Sequence, residues 1–394
     1  MKKLNFVFAM VLSVGFVMGQ NTATVSQTGD NGQASITQGG GTLNVAAVTQ
    51  AESALNLPSG IQKATVKQTG NSNSAIVGQT ETGGGGHVTN NAYIEQIGEE
   101  NKSVQSTYAG NYNSGQNVWG KQKGNKNELN QTWQGGYTNS FNATMTGDRN
   151  KVNQGWKASN SHGYVTILGS DNKATQGLYN DNEGYSIGIK IDQIGDLNEA
   201  TQEFKGGAQG HNNVGTILQT GDNNEAAQTV NGYDVYAKID QLGDNNLATQ
   251  TITGNSNFSS LSYIEVAQDG ADNTAEQGVF GNNNKAKTTQ TGDDNVAKTI
   301  QNGNSNQVVV LQMGMANKAN LTQDGGAKAD INQDGDNNTL MGLVLDPMAT
   351  SLNGSTLDLD QMGNGNTLHL QQTNGAMATV NQDGMTNTSI VIQN

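Results

Sequence analysis

Residues 290–323 read as three eleven-residue units laid end to end: QTGDDNVAKTI, QNGNSNQVVVL and QMGMANKANLT, with Gln323 opening the next. Each unit has a Gln, a Gly two residues later, an Asn at the fifth place, usually a small or β-branched residue at the seventh, and Gln again at the eleventh. Repetition at a fixed short period restricts a chain to a linear, stacked architecture. Gly292, Gly303 and Gly314 supply the positive φ that a tight turn needs. Asp294, Asn295, Ser305 and Asn306 add turn-forming side chains. The remainder alternates: Asn306, Val308, Val310 and Gln312 share one parity, and Gln307, Val309 and Leu311 the other. A period of two defines a β-strand. One unit is a strand plus a turn, and two units make a coil of about 22 residues that stacks at the strand spacing of about 4.8 Å. The expectation is an all-β fold, a β-solenoid of stacked strand–turn–strand coils in two sheets, with room for roughly seventeen coils.

Composition fits a linear stack better than a globule. The chain has 394 residues with 52 Gly, 2 Pro, no Cys, 5% aromatic and 14% charged residues. So few apolar residues would suggest disorder, but a stacked polar ladder needs no oily core. A net charge of −14 argues against nucleic acid and anionic membranes as partners, and the lack of Cys excludes disulfides and thiolate metal sites.

Residues 1–19 form a targeting segment. Lys2 and Lys3 are followed by the apolar run Leu4–Met18, and Val17 and Gly19 precede a plausible cut before Gln20. The run is short for a membrane span. The expectation is a signal peptide over 1–19, no membrane insertion, and export from a bacterium of a single repeat domain over 20–394.

The repeats continue on both sides of 290–323 with variations. Units starting at Gln193, Gln219, Gln241 and Gln268 move the second Gln to the ninth place, at Gln202, Gln228, Gln250 and Gln277. Phe204, Val230, Ile252 and Val279 then hold the eleventh. Both places have one parity, so amide and apolar residue exchange positions on one strand face. An aliphatic residue recurs two before the opening Gln, as at Ile191, Ile217, Ile239 and Val266. The face Asn–Ala–Gln–aliphatic points inward, and Lys190, Asp192, Lys238 and Asp240 face water. Insertions fall at Gly39–Gly41, around Pro58, at Gly83–Gly86 and around Pro347. The sequence closes on SIVIQN, an uncapped strand that can template another chain.

With Gln, Gly, Asn, Ala and Gln at these offsets, the repeats resemble the curlin repeat of the curli amyloid subunits, most specifically over 193–323 and 361–393. The resemblance implies a strand–turn–strand repeat, an amyloid-like stack, and polymerisation outside the cell into biofilm fibres. The implied partners are copies of the chain itself, a smaller curlin-like subunit or nucleator, and an outer-membrane export pore. The implied assembly ladder is Gln290, Asn295, Gln301, Asn306, Gln312, Asn317 and Gln323, with Gln382, Asn387 and Gln393. An amide carries both donor and acceptor, so identical amides one coil apart bond each other. The same amides would also serve the interior of a monomeric solenoid.

Other chemistry is weakly signalled, and no cofactor or metal is expected. The GDNN and GDDN turns (Gly221–Asn224, Gly243–Asn246, Gly292–Asn295) look like calcium-binding β-roll turns, but the Asp place also takes Asn, Glu, Met and Gly, and the rhythm is not nine. A surface Asp there reads as a solubility device. Trp119, Trp133 and Trp156 lie on or near the eleventh place of consecutive units, with Tyr108, Tyr112, Tyr137 and Phe141 nearby. Parity favours a buried patch over a glycan platform. His87, His162, His211 and His369 share no repeat position. The acids are dispersed along turns and outer faces rather than converging as a glycosidase requires. The rival function is a monomeric secreted adhesin that binds glycan or surface through its long loops and aromatic segment.

Overall fold

A computed structural model describes residues 20–29, 32–52, 61–81, 89–109, 115–134, 139–157, 160–179, 187–205, 213–254, 262–343 and 348–393. The segment 1–19, Pro58, Gly83–Gly86, Tyr112, Tyr137, His87, His211 and Pro347 lie outside the described residues. The regular elements of the described residues are all strands. Alternate strands belong to alternate sheets, one of 17 strands and one of 15, and every pairing is parallel. The chain is the expected two-sheet β-solenoid. In the 17-stranded sheet the short strands Thr339–Met341 and Ala349–Leu352 share a single coil, split where the Pro347 insertion enters.

The expected period of 22 holds where both corners are short: Thr274 pairs with Val296, and Lys285 with Gln307. Other coils are longer, as in the pairing of Val45 with Ser74, because the two corners obey different rules. The corner leading from the 15-stranded sheet to the 17-stranded one is a Gly-x-x-Asn turn from coil to coil, as in Gly195–Asn198, Gly221–Asn224, Gly243–Asn246 and Gly270–Asn273. The opposite corner takes nearly all the length variation, from Gly325–Ala327 to long connections such as that after Lys205, while the first Gly/Asn corner, Gly40–Asn44, is one residue longer than the later ones. The turns that alternate in length along the sequence are these two corners.

The constant corner explains the glycine. Gly221 has φ of 114°, and a Cβ on it would lie 2.2 Å from the carbonyl oxygen of Gly243 in the next coil. Backbones stack so closely here that only glycine fits. The residue two places on is also left-handed, with φ of 58° at Asn223 but also 60° at Leu197 and 59° at Lys126. Holding such residues there costs on the order of 1–2 kcal/mol each. Backbone bonds to the preceding coil offset this, Gly243 N–H to Thr220 O (2.9 Å) and Asn245 N–H to Asp222 O (3.0 Å).

Between the sheets the side chains form columns rather than one apolar mass. In the 17-stranded sheet, one column runs Trp133, Trp156, Leu178, Phe204, Val230, Ile252 and Val279, and the column beside it runs Gln131, Gln154, Gln176, Gln202, Gln228, Gln250 and Gln277. Toward higher numbers the order reverses: Val279 registers with Gln301, and Gln277 with Thr299. The exchange of amide and apolar residue read from the repeats is therefore real. Large residues in one sheet face glycines in the other. A Cβ at Gly215 would come within 2.3 Å of Phe204 Cζ, and one at Gly163 within 2.3 Å of Trp156 Cζ2. Each buried aliphatic or aromatic side chain adds about 1.5–3 kcal/mol.

Lys190, Asp192, Lys238 and Asp240 lie on the outer face, where each Lys pairs with the Asp two residues on. Such exposed pairs add little to stability.

Gly215→Ala should destabilise the chain by about 1–3 kcal/mol through overpacking against Phe204. Gly188→Ala, where an added Cβ meets nothing within 4 Å, should be close to neutral. Urea unfolding of the two variants beside the parent checks this.

Candidate functional site: the interior amide ladders

The first ladder is built at the constant corner. Asn198, Asn224, Asn246, Asn273, Asn295 and Asn317 are all buried. Each Oδ1 accepts the backbone N–H of the next Asn: Asn246 N to Asn224 at 3.0 Å, Asn295 N to Asn273 at 3.0 Å, Asn317 N to Asn295 at 3.0 Å. Each Nδ2 donates onward to the turn glycine of the next coil, Asn224 to Gly243 O (2.7 Å) and Asn295 to Gly314 O (2.8 Å). One Asn thus binds the coils on both sides of its own. The unmet backbone groups of a tight buried corner are satisfied by the stack itself.

The second ladder lies in the 15-stranded sheet beside that corner. Gln193, Gln219, Gln241, Gln268, Gln290, Gln312, Gln333, Gln361 and Gln382 form an unbroken run, each Nε2 donating to the next Oε1 at 2.7–2.9 Å. The second N–H of each amide crosses to the other sheet, as in Gln241 to Glu225 O (3.0 Å) and Gln290 to Thr274 O (3.0 Å). The ladder therefore ties coil to coil and sheet to sheet. An earlier run, Gln38, Gln68, Gln96 and Gln122, is separated from it by Met145 and Ile167, which occupy the same column.

In the 17-stranded sheet a third ladder runs from Gln105 to Gln277, where Gln277 ends it on Thr288 Oγ1 (2.9 Å). Shorter ladders pair Gln27, Gln50 and Gln79, then Gln301 with Gln323 (2.9 Å), then Gln372 with Gln393 (2.9 Å). All donate toward higher residue numbers, so each run has a polarity. The first amide of a run has no donor behind it. Accordingly, Oε1 of Gln105, Gln193, Gln301 and Gln372 is buried without a partner, each next to a non-amide: Val77, Ile167, Val279 and Ser351.

Nine of the ten residues singled out in the sequence occupy these columns, and Asn306 lies at the opposite corner. Gln290, Gln312 and Gln382 are in the long run; Asn295 and Asn317 are in the corner ladder, and Asn387 continues it through Asn366 Oδ1 (3.0 Å). Gln301, Gln323 and Gln393 lie in the short ladders, and Asn306 N donates to Asn284 Oδ1 (2.8 Å) at the variable corner. The ladder from Gln105 through Gln277 lies outside those ten residues; its later members Gln202, Gln228, Gln250 and Gln277 follow from the nine-residue offset seen in the repeats.

Two expectations are corrected. The turn Asp residues are more than surface solubility devices: Oδ1 of Asp222 accepts Asp196 N–H (2.8 Å), and Oδ1 of Asp244 accepts Asp222 N–H (2.8 Å). Asp148, Asp293 and Asp336 do the same, so the carboxylates form a further ladder on the rim of the corner. This requires only an oxygen on a short side chain, which is why Asn125 and Asn304 also serve. The tryptophans, moreover, do not form one patch. Trp133 and Trp156 are buried (2% and 3% exposed) and Phe141 packs on Trp156 at 4.4 Å, but Trp119 is 51% exposed on the outer face and Tyr108 is exposed as well. Trp119 has the opposite parity within its strand Gln116–Lys123.

Of the histidines, His162 is exposed on the outer face and His369 Nδ1 lies 2.8 Å from Gly342 O. Among the described residues no group of His, Asp and Glu converges in a way that could hold a metal ion. Two facing parallel sheets with continuous interior amide columns define a laddered β-solenoid. Residues 292–325 match the family model of the curlin associated repeat, and the chain carries that repeat. The curlin repeat is a structural, non-enzymatic unit. No curated protein matches the chain.

Substituting an amide should cost most where it creates a new orphan. Gln241→Leu leaves Gln268 Oε1 without its donor in the middle of a run, which should cost about 1–3 kcal/mol. Gln193→Leu only moves an existing orphan from Gln193 to Gln219, so its loss should be clearly smaller in the same urea titration.

A pH dependence follows from the outer face, where Asp330 registers with Asp358 in the next coil. Partial burial and the neighbouring Asp358 charge raise the Asp330 carboxyl above its usual range. A raised folded value means the protonated form favours the fold, a contribution present at low pH and lost as pH rises through that value. Asp330→Asn should therefore raise the melting temperature at neutral pH, with the gain disappearing below the carboxylate range.

Proposed function

We propose that the chain is a structural subunit of an extracellular, curli-like amyloid fibre that supports adhesion and biofilm matrix. Residues 1–19 direct export and are removed in the process. Copies associate with one another, or with a smaller curlin-like subunit or nucleator, after passage through an outer-membrane pore. Growth proceeds by templated strand addition, with Gln290, Asn295, Gln301, Asn306, Gln312, Asn317, Gln323, Gln382, Asn387 and Gln393 as parts of the assembling ladder.

The observation that carries this reading is the likeness of the outermost described coils. Ala23, Val25 and Gln27 with Ala34, Ile36 and Gln38 line the first; Ser389, Val391 and Gln393 with Ala378, Val380 and Gln382 line the last. Apart from Ser389, both present a small residue, an aliphatic and an amide in each sheet, whereas the 17-stranded sheet in the middle of the chain has the order reversed. The ladder polarity matches too. Amide donors point toward higher numbers: in the last coil Gln393 Nε2 bonds Met377 O and keeps an N–H to give, while Gln382 Nε2 is turned onto Ser389 Oγ (3.1 Å) and must swing off it to meet a first-coil acceptor. A second copy can continue every column without a change of register, and the curlin repeat supports the same reading.

The test is a thioflavin-T time course on the purified chain from Gln20, with electron microscopy of the endpoint. The expected result is a lag, a rise and unbranched fibres, with preformed seeds abolishing the lag. A chain that stays monomeric and β-rich for days in the presence of seeds would overturn self-assembly and favour the monomeric adhesin.

A further inference from the structure

The outer face of the 15-stranded sheet carries both charge pairs and aromatic rings, among them the stacked pair Tyr236 and Tyr263, and its longest aromatic column lies in one stretch. Near the middle of the chain this face carries short-range charge pairs: Lys190 with Asp192, Lys238 with Asp240, and Glu265 between Lys238 and Lys287. Over residues 90–168 one outward column instead reads Tyr93, Trp119, Asn142 and Tyr164 in four successive coils. Trp119 and Tyr164 are 51% and 40% exposed. Tyr93 packs edge-to-face on Trp119 with centroids 5.2 Å apart, and Lys67 lies over Tyr93 at 5.6 Å. In a chain with 5% aromatic residues, exposed rings aligned in one column mark a binding surface.

Spacing and charge select the ligand. Trp119 and Tyr164 are two coils apart, about 10 Å at the usual strand spacing. An extended β-1,4-linked sugar chain turns the same ring face outward at every second residue, at about this repeat. Polar groups flank the rings along the column. On one side the Asn91 amide donates to Asn117 (2.8 Å), and His162 continues that row. On the other the Glu95–Lys121 pair (3.1 Å) cancels its own charge. A stacking row also suits nucleobases, but the column itself holds no cation, Lys121 is paired with Glu95 and Lys67 is engaged over Tyr93, whereas a phosphate backbone or an anionic polysaccharide calls for a run of unpaired cations along its path. We infer that Tyr93, Trp119 and Tyr164 form a binding track for a neutral β-1,4-linked hexopyranose polymer, with Trp119 and Tyr164 stacking on alternate sugars and Tyr93 holding the indole in place. The track lies on the side of the stack, away from the coil ends, so it stays open in a monomer or a fibre and does not rest on the assembly reading.

The test uses the full chain with cellohexaose, followed by tryptophan fluorescence, and with insoluble cellulose, followed by co-sedimentation. Trp133 and Trp156 are buried, so the fluorescence change should come from Trp119. Expected are saturable binding, a loss of roughly tenfold in affinity for Trp119→Ala and for Tyr164→Ala, and retention in Trp119→Tyr. Thioflavin-T kinetics of the alanine variants should match the parent, which keeps this result separate from that of assembly. Absence of binding by the parent chain, equal binding by the alanine variants, or equal binding of an anionic polymer such as alginate would overturn the track.

Discussion

A primary amide buried in a protein must find partners for two N–H groups and a carbonyl oxygen. In a compact globule that is a difficult demand, and natural cores mostly avoid it. In a parallel stack it is met by repetition: the neighbour one coil away is the same amide in the same orientation. Gln241 receives from Gln219 and gives to Gln268, and its remaining N–H reaches Glu225 O and Asn246 O. The other features of the structure follow from keeping that neighbour in place. Register cannot slip by one, because period-two alternation would turn the ladder out to solvent. The corner beside the long ladder cannot change length, because Asn and Gly of successive coils are bonded through it.

This constraint accounts for the asymmetry of the two corners. On the Gly-x-x-Asn side, glycine, the left-handed residue and asparagine are locked by contacts with adjacent coils, so an insertion between the glycine and the asparagine would break three columns at once. On the other side the ladders need less, and lengths vary freely. Apart from one extra residue at Gly40–Asn44, variation in coil length, which looks irregular along the sequence, lies on one edge of the solenoid. The columns also tolerate exchange. Amide and apolar residue swap places in the 17-stranded sheet, at the expense of one orphaned carbonyl oxygen at each run start, because both orders fill the same layer.

Much of this was legible in the sequence because repeat spacing reports directly on register. The period-two strands, the inward Asn–Ala–Gln–aliphatic face, the swapped order at Gln202–Phe204 and the two-sheet solenoid all follow from offsets between Gln, Gly and Asn. Three features were less accessible. Trp119 sits one parity step from where its spacing suggested, because the variable corner before it obscures the strand start. The bonding role of Asp222 and Asp244 depends on how closely coils approach at the corner, which composition does not convey. The pairing of Gly215 with Phe204 and Gly163 with Trp156 is a contact between sheets, and no local pattern encodes which strand faces which.

The central claim is that successive coils are held in one register by the amide columns, and the chain's lack of cysteine makes a direct measurement clean. Nitroxide labels on cysteines placed at Thr229 and Thr251, register partners on the outer face, would report the distance by electron paramagnetic resonance. The account predicts strong dipolar broadening from labels within about 10 Å, adjacent strands being about 4.8 Å apart. Broadening should be lost when the second label is moved to a coil four layers away. Weak coupling between the Thr229 and Thr251 labels, or equal coupling at both separations, would contradict the stacked register on which the ladders depend.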